Sequence, residues 1–152
     1  MATIRLPDQI VQAMVNHAEF CSPNEACGLL AGDVDGNFRM VYCLTNSERS
    51  PVRFTIDPVE HFRALKHAER QEWELRGAFH SHPTGPPQPS LTDTARPYVG
   101  GWIDFIVHAG SVRAFSVQNG QSVEVPIEPT SAHRDPLRPS RPRRRAGSAD
   151  EG

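Results

Sequence analysis

The sequence predicts an α/β domain in which a mixed β-sheet is flanked by helices. Two amphipathic helical patterns separate short apolar, strand-like runs in the first two-thirds of the chain. The later part turns to closely spaced strands, two of them joined by the hairpin signal Asn119-Gly120. A length of 152 residues suits one hydrophobic core that needs no disulfides.

A short strand around Ile4 to Leu6 leads to Asp8, which reads as a helix cap. Ile10, Val11, Met14, Val15 and Ala18 follow at the spacing of one helical face. Ser22-Pro23-Asn24 ends that helix. Ala26 to Gly32 is a nearly continuous apolar run, as expected of a strand buried on both faces. Asp33 to Asn37, with Gly36, reads as a hairpin turn into Phe38 to Leu44. After an irregular stretch from Thr45 to Phe54, Asp57-Pro58 places a capping acid and a first-turn proline before a second helix running to about Glu74. His61 and His67 lie in this helix without a ligand partner at helical spacing, so they read as surface or packing residues. Leu75–His82, Ile103–Ala109, Ser111–Gln118 and Ser122–Ile127 supply further strands.

The balance of 38% hydrophobic and 22% charged residues is that of a soluble globular protein. No segment approaches the roughly 20 apolar residues that span a bilayer, and the amino terminus lacks a signal-peptide pattern, so a membrane partner is not expected. Cys21, Cys27 and Cys43 are odd in number and contain no C-x-x-C pair. That argues against a secreted disulfide framework and against a cysteine-rich zinc cluster, makes the cytoplasm the expected location, and reads each cysteine as a small buried residue. Residues 1–130 hold 10 of the 16 basic and 15 of the 18 acidic side chains, a charge of −5; residues 131–152 hold the other 6 and 3, a charge of +3. From Pro129 onward too few apolar residues remain to offset the entropy of ordering. The expected organisation is a domain over residues 1–128 and a disordered Pro/Arg-rich tail over 129–152. Arg143-Arg144-Arg145 would suit nucleic acid, yet the acidic body argues against a specific nucleic-acid partner.

Chemistry concentrates between Gly77 and Asp93. Side chains alternate along a strand, so His80 and His82 project from one face and Ser81 from the other. The following loop, Pro83 to Pro89, contains four prolines, whose stiffness lowers the entropy lost in holding its far end near the histidines. Ser90-Leu91-Thr92-Asp93 has the form of a capping box opening a helix that carries Asp93 in its first turn. Two imidazoles and one carboxylate make a three-ligand zinc set that keeps a fourth tetrahedral position open, whereas a structural zinc is closed by four protein ligands. The plainer reading makes the histidines ordinary strand residues and Asp93 a helix-cap acid. There is no H-E-x-x-H, no deaminase signature, no G-x-S-x-G elbow and no phosphate-binding P-loop, so those reaction classes lose support.

His80-Ser-His82, the seven residues Pro83 to Pro89, then Ser90-Leu-Thr-Asp93 resembles the JAMM (MPN+) metalloprotease motif H-x-H-x7-S-x2-D at every position. Glu25-Ala-Cys-Gly-Leu-Leu-Ala-Gly32 is similar to that family's glutamate-bearing segment, and Thr45 to Pro51 resembles a stretch of its small bacterial members. The resemblance covers residues 1–128. It implies an MPN fold related to the cytidine deaminases, one zinc ion per chain on His80, His82 and Asp93, Glu25 as acid and base, and Ser90 as a hydrogen-bond donor to the oxyanion or the attacking water. Spacing alone does not select Glu25 over acids such as Glu48 and Glu60, and Ser90 also reads as a simple helix cap. The implied reaction is hydrolysis of a peptide or isopeptide bond after the carboxyl-terminal glycine of a ubiquitin-like or sulfur-carrier protein, including release of cysteine from a carrier adduct. The alternative within the same fold is a non-catalytic MPN scaffold, whose members usually lack part of the ligand set.

Overall fold

A computed structural model describes residues 3–90, 93, 101–118 and 120–130. In chain order its elements are β1 (Ile4–Pro7), α1 (Asp8–Cys21), β2 (Cys27–Gly32), β3 (Phe38–Leu44), α2 (Pro58–Arg70), β4 (Glu74–Ser81), β5 (Ile103–His108), β6 (Ser111–Gln118), β7 (Gln121–Val125) and β8 (Ile127–Thr130). Six strands form one sheet in the order β3-β2-β4-β5-β6-β7. Within it β4 and β5 run parallel and every other neighbouring pair is antiparallel. β1 and β8 pair in parallel as a separate two-stranded sheet.

The helices cover opposite faces of the large sheet. Ile10 and Met14 of α1 pack with Leu30, Phe79, Phe105, Val107 and Ala114, whereas Ala64 of α2 packs with Leu29 and Leu44, flanked by Tyr42, Ala78 and Trp102. Covered on both sides, β2 buries all six of its residues, which is why it reads as an unbroken apolar run. Gly28 is required there. A Cβ at this position would collide with the Tyr42 carbonyl oxygen and the Phe79 ring. No described helix is long and apolar enough to cross a membrane.

The mixed sheet with flanking helices is the architecture the sequence predicts, with four local corrections. Asp8 does not cap α1 through its side chain: Pro7 occupies the cap position and Asp8 is the first helical residue, an acid near the positive end of the helix dipole. α2 stops at Arg70 rather than near Glu74, because Glu72 adopts the left-handed conformation (φ 61°) and Glu74 already belongs to β4. The chain pairs beyond residue 128, since Pro129 and Thr130 lie opposite Leu6 and Pro7. Of the three cysteines, none of them in a disulfide, only Cys27 is buried; Cys43 is exposed on the edge strand β3. The Asp57 cap is present, its side chain accepting from the amides of Val59 and Glu60. Asn119, the helix expected after Ser90 apart from Asp93 itself, and the Arg143–Arg145 run lie outside the described residues.

Candidate metal centre

β4 delivers the two histidines by its alternation. Phe79 points into the α1 layer, and its neighbours Ala78 and His80 point to the α2 side. His80 is 1% exposed. The ladder continues past the end of β4: the Ser81 amide donates to the Ala26 carbonyl (3.0 Å), the Ser81 hydroxyl accepts from the Ala26 amide (2.7 Å), and the His82 amide donates to Val107 (2.9 Å). Cys27 lies opposite His80. Continuing that register by two residues sets Glu25 opposite His82, so Glu25, His80 and His82 share one face of the sheet.

Three donor atoms converge on this face. His80 Nε2 is 2.9 Å from His82 Nε2 and 3.2 Å from Asp93 Oδ2, and His82 Nε2 is 3.3 Å from the same oxygen. Ligands about 2.0–2.2 Å from one tetrahedral zinc stand roughly 3.3–3.6 Å from one another, so the observed triangle is the size of one face of such a site, slightly contracted. Among the described residues these three are the one group of histidine, cysteine or acidic side chains arranged to hold an ion. Two imidazole nitrogens in mutual contact around a carboxylate are poorly matched to one another and well matched to a divalent cation.

Each donor is fixed from behind. His82 Nδ1 lies 2.8 Å from the Pro86 carbonyl oxygen; a carbonyl only accepts, so the proton sits on Nδ1 and Nε2 offers its lone pair. The proline-rich loop therefore does more than span a gap, since it supplies the acceptor that selects the tautomer. Asp93 is held by a reciprocal capping box: the Ser90 amide donates to Oδ2 (2.8 Å) and the Asp93 amide donates to Ser90 Oγ (3.2 Å). The Phe54 ring lies against His80, centroids 4.7 Å apart and planes at 21°.

Burial alone would push the His80 imidazole down, but the facing carboxylates of Asp104 and Asp93 outweigh it and raise it to about 9. For His82 burial again opposes the charged form, and Asp93 with the Pro86 carbonyl turns the shift upward. Burial would raise Asp93, yet the two imidazoles hold its carboxyl far below the usual carboxylate range. Without a cation, a proton on His80 offsets the buried carboxylates beside it, and binding a cation there would release it.

The structure brings His80, His82 and Asp93 together as expected, with Ser90 joined to them through Asp93. It also separates the candidate glutamates. Glu25 is buried at 5% exposure. Glu60 instead holds the Thr45 amide and hydroxyl at 3.0 and 3.1 Å, and Glu48 is exposed. Four contributors escape the sequence reading: Asp104, the Phe54 ring, the Pro86 carbonyl and Asn46. The Asn46 amide group donates to the carbonyls of Glu25 (3.1 Å) and Arg53 (2.9 Å), while its oxygen accepts from the amides of Glu48 (3.0 Å) and Thr55 (3.1 Å). Only Asp104 carries a signal in the sequence, as a lone acid inside the apolar run Trp102 to Val107.

Fold and donor set together define a JAB-type domain, and the chain belongs to the family of prokaryotic homologs of the JAB domain, which matches residues 7–120. It is 36% identical over 92 residues to a desampylase of Pyrococcus furiosus, covering 60% of this chain and 64% of the relative. To the CysO-cysteine peptidase of Mycobacterium tuberculosis it is 37% identical over 86 residues, covering 55% of this chain and 58% of the relative. The matched stretch thus spans less than two-thirds of either relative. A solution structure of a protein from Desulfitobacterium hafniense superposes with a TM-score of 0.75 at 31% identity, covering 85% of this chain and 94% of that one.

Proposed function

We propose that this chain is a zinc peptidase that hydrolyses a peptide or isopeptide bond after the carboxyl-terminal glycine of a ubiquitin-like or sulfur-carrier protein. The observation that carries this reading is the convergence of His80 Nε2, His82 Nε2 and Asp93 Oδ2 within 2.9–3.3 Å of one another on a buried face. The similarity to a desampylase and a CysO-cysteine peptidase supports the substrate class. Zinc fits the donor chemistry of two neutral imidazoles and one carboxylate with a coordination position left open.

His80, His82 and Asp93 would hold the zinc, which would supply Lewis acidity toward the scissile carbonyl and the attacking water. Glu25 takes the proton lost by the attacking water onto its carboxylate and passes it to the nitrogen of the departing amine. Its burial keeps that carboxylate away from bulk solvent. Ser90 Oγ accepts from the Asp93 amide, which leaves its hydroxyl proton free to donate to the carbonyl oxygen as negative charge builds there. The cap and the oxyanion donor are compatible roles for one hydroxyl.

Metal content and cleavage of a glycine-terminated carrier fused to cysteine or to a short peptide test this together, with wild type, Glu25→Gln and a chelated sample compared. One zinc per chain, with cleavage lost in both controls and zinc retained by Glu25→Gln, is the expected result. A protein that retains no zinc after reconstitution would turn His80, His82 and Asp93 into structural residues and favour the non-catalytic scaffold. A fully active Glu25→Gln would remove Glu25 from the mechanism.

A further inference from the structure

We propose that Asp104 is a positioning residue that accepts a hydrogen bond from His80 Nδ1–H and so turns His80 Nε2 toward the centre shared with His82 and Asp93. The inference rests on the metal-centre reading and assigns Asp104 a place in it.

Asp104 is out of character with its strand. Its neighbours Phe105, Ile106 and Val107 are buried apolar residues, and Asp104 itself is 2% exposed. An aliphatic side chain would fill that position without the cost of burying a carboxylate, which is sustained only by a charged or hydrogen-bonding partner. Among the described residues, the polar side chain that Asp104 meets is His80, with Oδ1 3.7 Å from Nδ1. His80 Nδ1 and Asp104 Oδ2 are both buried without a hydrogen bond. Neither can turn to solvent instead, so each is the other's available outlet.

The backbone register makes the approach reproducible. β4 and β5 run parallel with Ala78 opposite Asp104 and His80 opposite Ile106, which sets Asp104 diagonally beside His80 on the same face. Closing 3.7 Å to the roughly 2.7–2.9 Å of a charge-assisted hydrogen bond takes side-chain rotation of less than about 1 Å. The two histidines then differ in a useful way. His82 Nδ1–H donates to a neutral carbonyl, that of Pro86, whereas His80 Nδ1–H would donate to a carboxylate. The carboxylate pulls harder on the N–H and leaves more electron density on Nε2, making His80 the stronger donor of the pair.

Asp104→Asn and Asp104→Leu test this with two readouts on the full chain: zinc affinity by competition with a chelator, and the His80 Nδ1–H resonance in zinc-loaded and zinc-free 15N-labelled protein. Wild type should show a downfield, slowly exchanging Nδ1–H. Asp104→Asn, which keeps an acceptor but no charge, should move it upfield and weaken zinc binding by about 10-fold. Asp104→Leu should abolish it and weaken binding by about 10–100-fold. If the leucine variant does not fold, the near-isosteric asparagine variant decides alone. Wild-type affinity with an unmoved His80 resonance in Asp104→Asn overturns the proposal. If wild type takes up no zinc while Asp104→Asn still moves the resonance, the metal reading falls and the Asp104–His80 contact stands.

Discussion

Phe54 lies flat against His80, ring to ring at 4.7 Å, and is itself only 6% exposed. An aromatic residue from an irregular stretch therefore sets one wall of the donor site, blocking the imidazole from tilting away from Asp93. Phe54→Ala should cost about 3–5 kcal/mol of folding stability and weaken metal retention, whereas Phe54→Leu should cost under about 1.5 kcal/mol. Urea unfolding beside chelator competition would check both. Metal retention unchanged in the alanine variant would show that His80 does not need this wall.

Ser81 contributes through the opposite face of β4. Its hydroxyl is the acceptor for the buried Ala26 amide, one residue from Glu25. Ser81→Ala strands that N–H and should destabilise the fold by about 1–3 kcal/mol. Because the fault lies beside Glu25 rather than beside the donors, cleavage should fall while zinc content stays at one per chain. Loss of zinc in parallel with activity would instead place the damage in the histidine pair.

The Asn46 side chain makes four hydrogen bonds, three that close the Thr45–Ile56 stretch on itself and one that ties it to the Glu25 carbonyl. Asn46→Ala should release the amides of Glu48 and Thr55 to hydrogen exchange before the sheet opens, and should lower kcat more than zinc occupancy. Asn46→Asp is the sharper variant. It keeps the acceptor but sets a carboxylate against two carbonyls, and should be at least as damaging. Unchanged exchange at Glu48 and Thr55 would count against this role.

How much of this was legible follows from what kind of bond places each group. His80, His82 and Asp93 are readable because strand alternation and a capping box are local rules that operate within a few residues. Glu25 is singled out only through family resemblance, since its place ahead of β2 is set against β4 by pairing between strands far apart in sequence. Phe54 and the Pro86 carbonyl carry no local signal: one acts by stacking from a loop, the other through the backbone, where residue type says little. Pro7 in the α1 cap position shows the reverse, a clear local signal at Asp8 displaced by the strand that runs into the helix.

The metal-free protein should carry a pH signature. His80 is raised to about 9 by Asp104 and Asp93, and Asp93 is held low by His80 and His82; the His80–Asp93 attraction is common to both shifts and counts once. A raised histidine stabilises fully below its unfolded value of about 6.5, and that contribution disappears as pH climbs through about 9; a depressed carboxylate stabilises above about 3.9 and loses its share as pH falls. The urea-midpoint gap between wild type and His80→Gln, both without metal, should therefore be widest between about pH 4 and 6.5 and narrow on either side. Zinc affinity should run the other way over the upper limb, rising with pH as protons leave the histidines. A gap that widens toward pH 9 would contradict the assigned direction.

A parallel neighbour cannot be reached by a tight hairpin, so after β4 the chain must leave the sheet and return before it can lay down β5. Asp93 rides on that detour. The excursion that topology demands is the same one that brings the third donor home, and all three donors consequently lie within residues 80–93. Cutting the chain at the hairpin turn around Gly36 and rejoining it elsewhere would leave this segment whole. Of the groups in the proposed hydrolysis, Glu25 is the one that lies outside this segment, two residues ahead of β2.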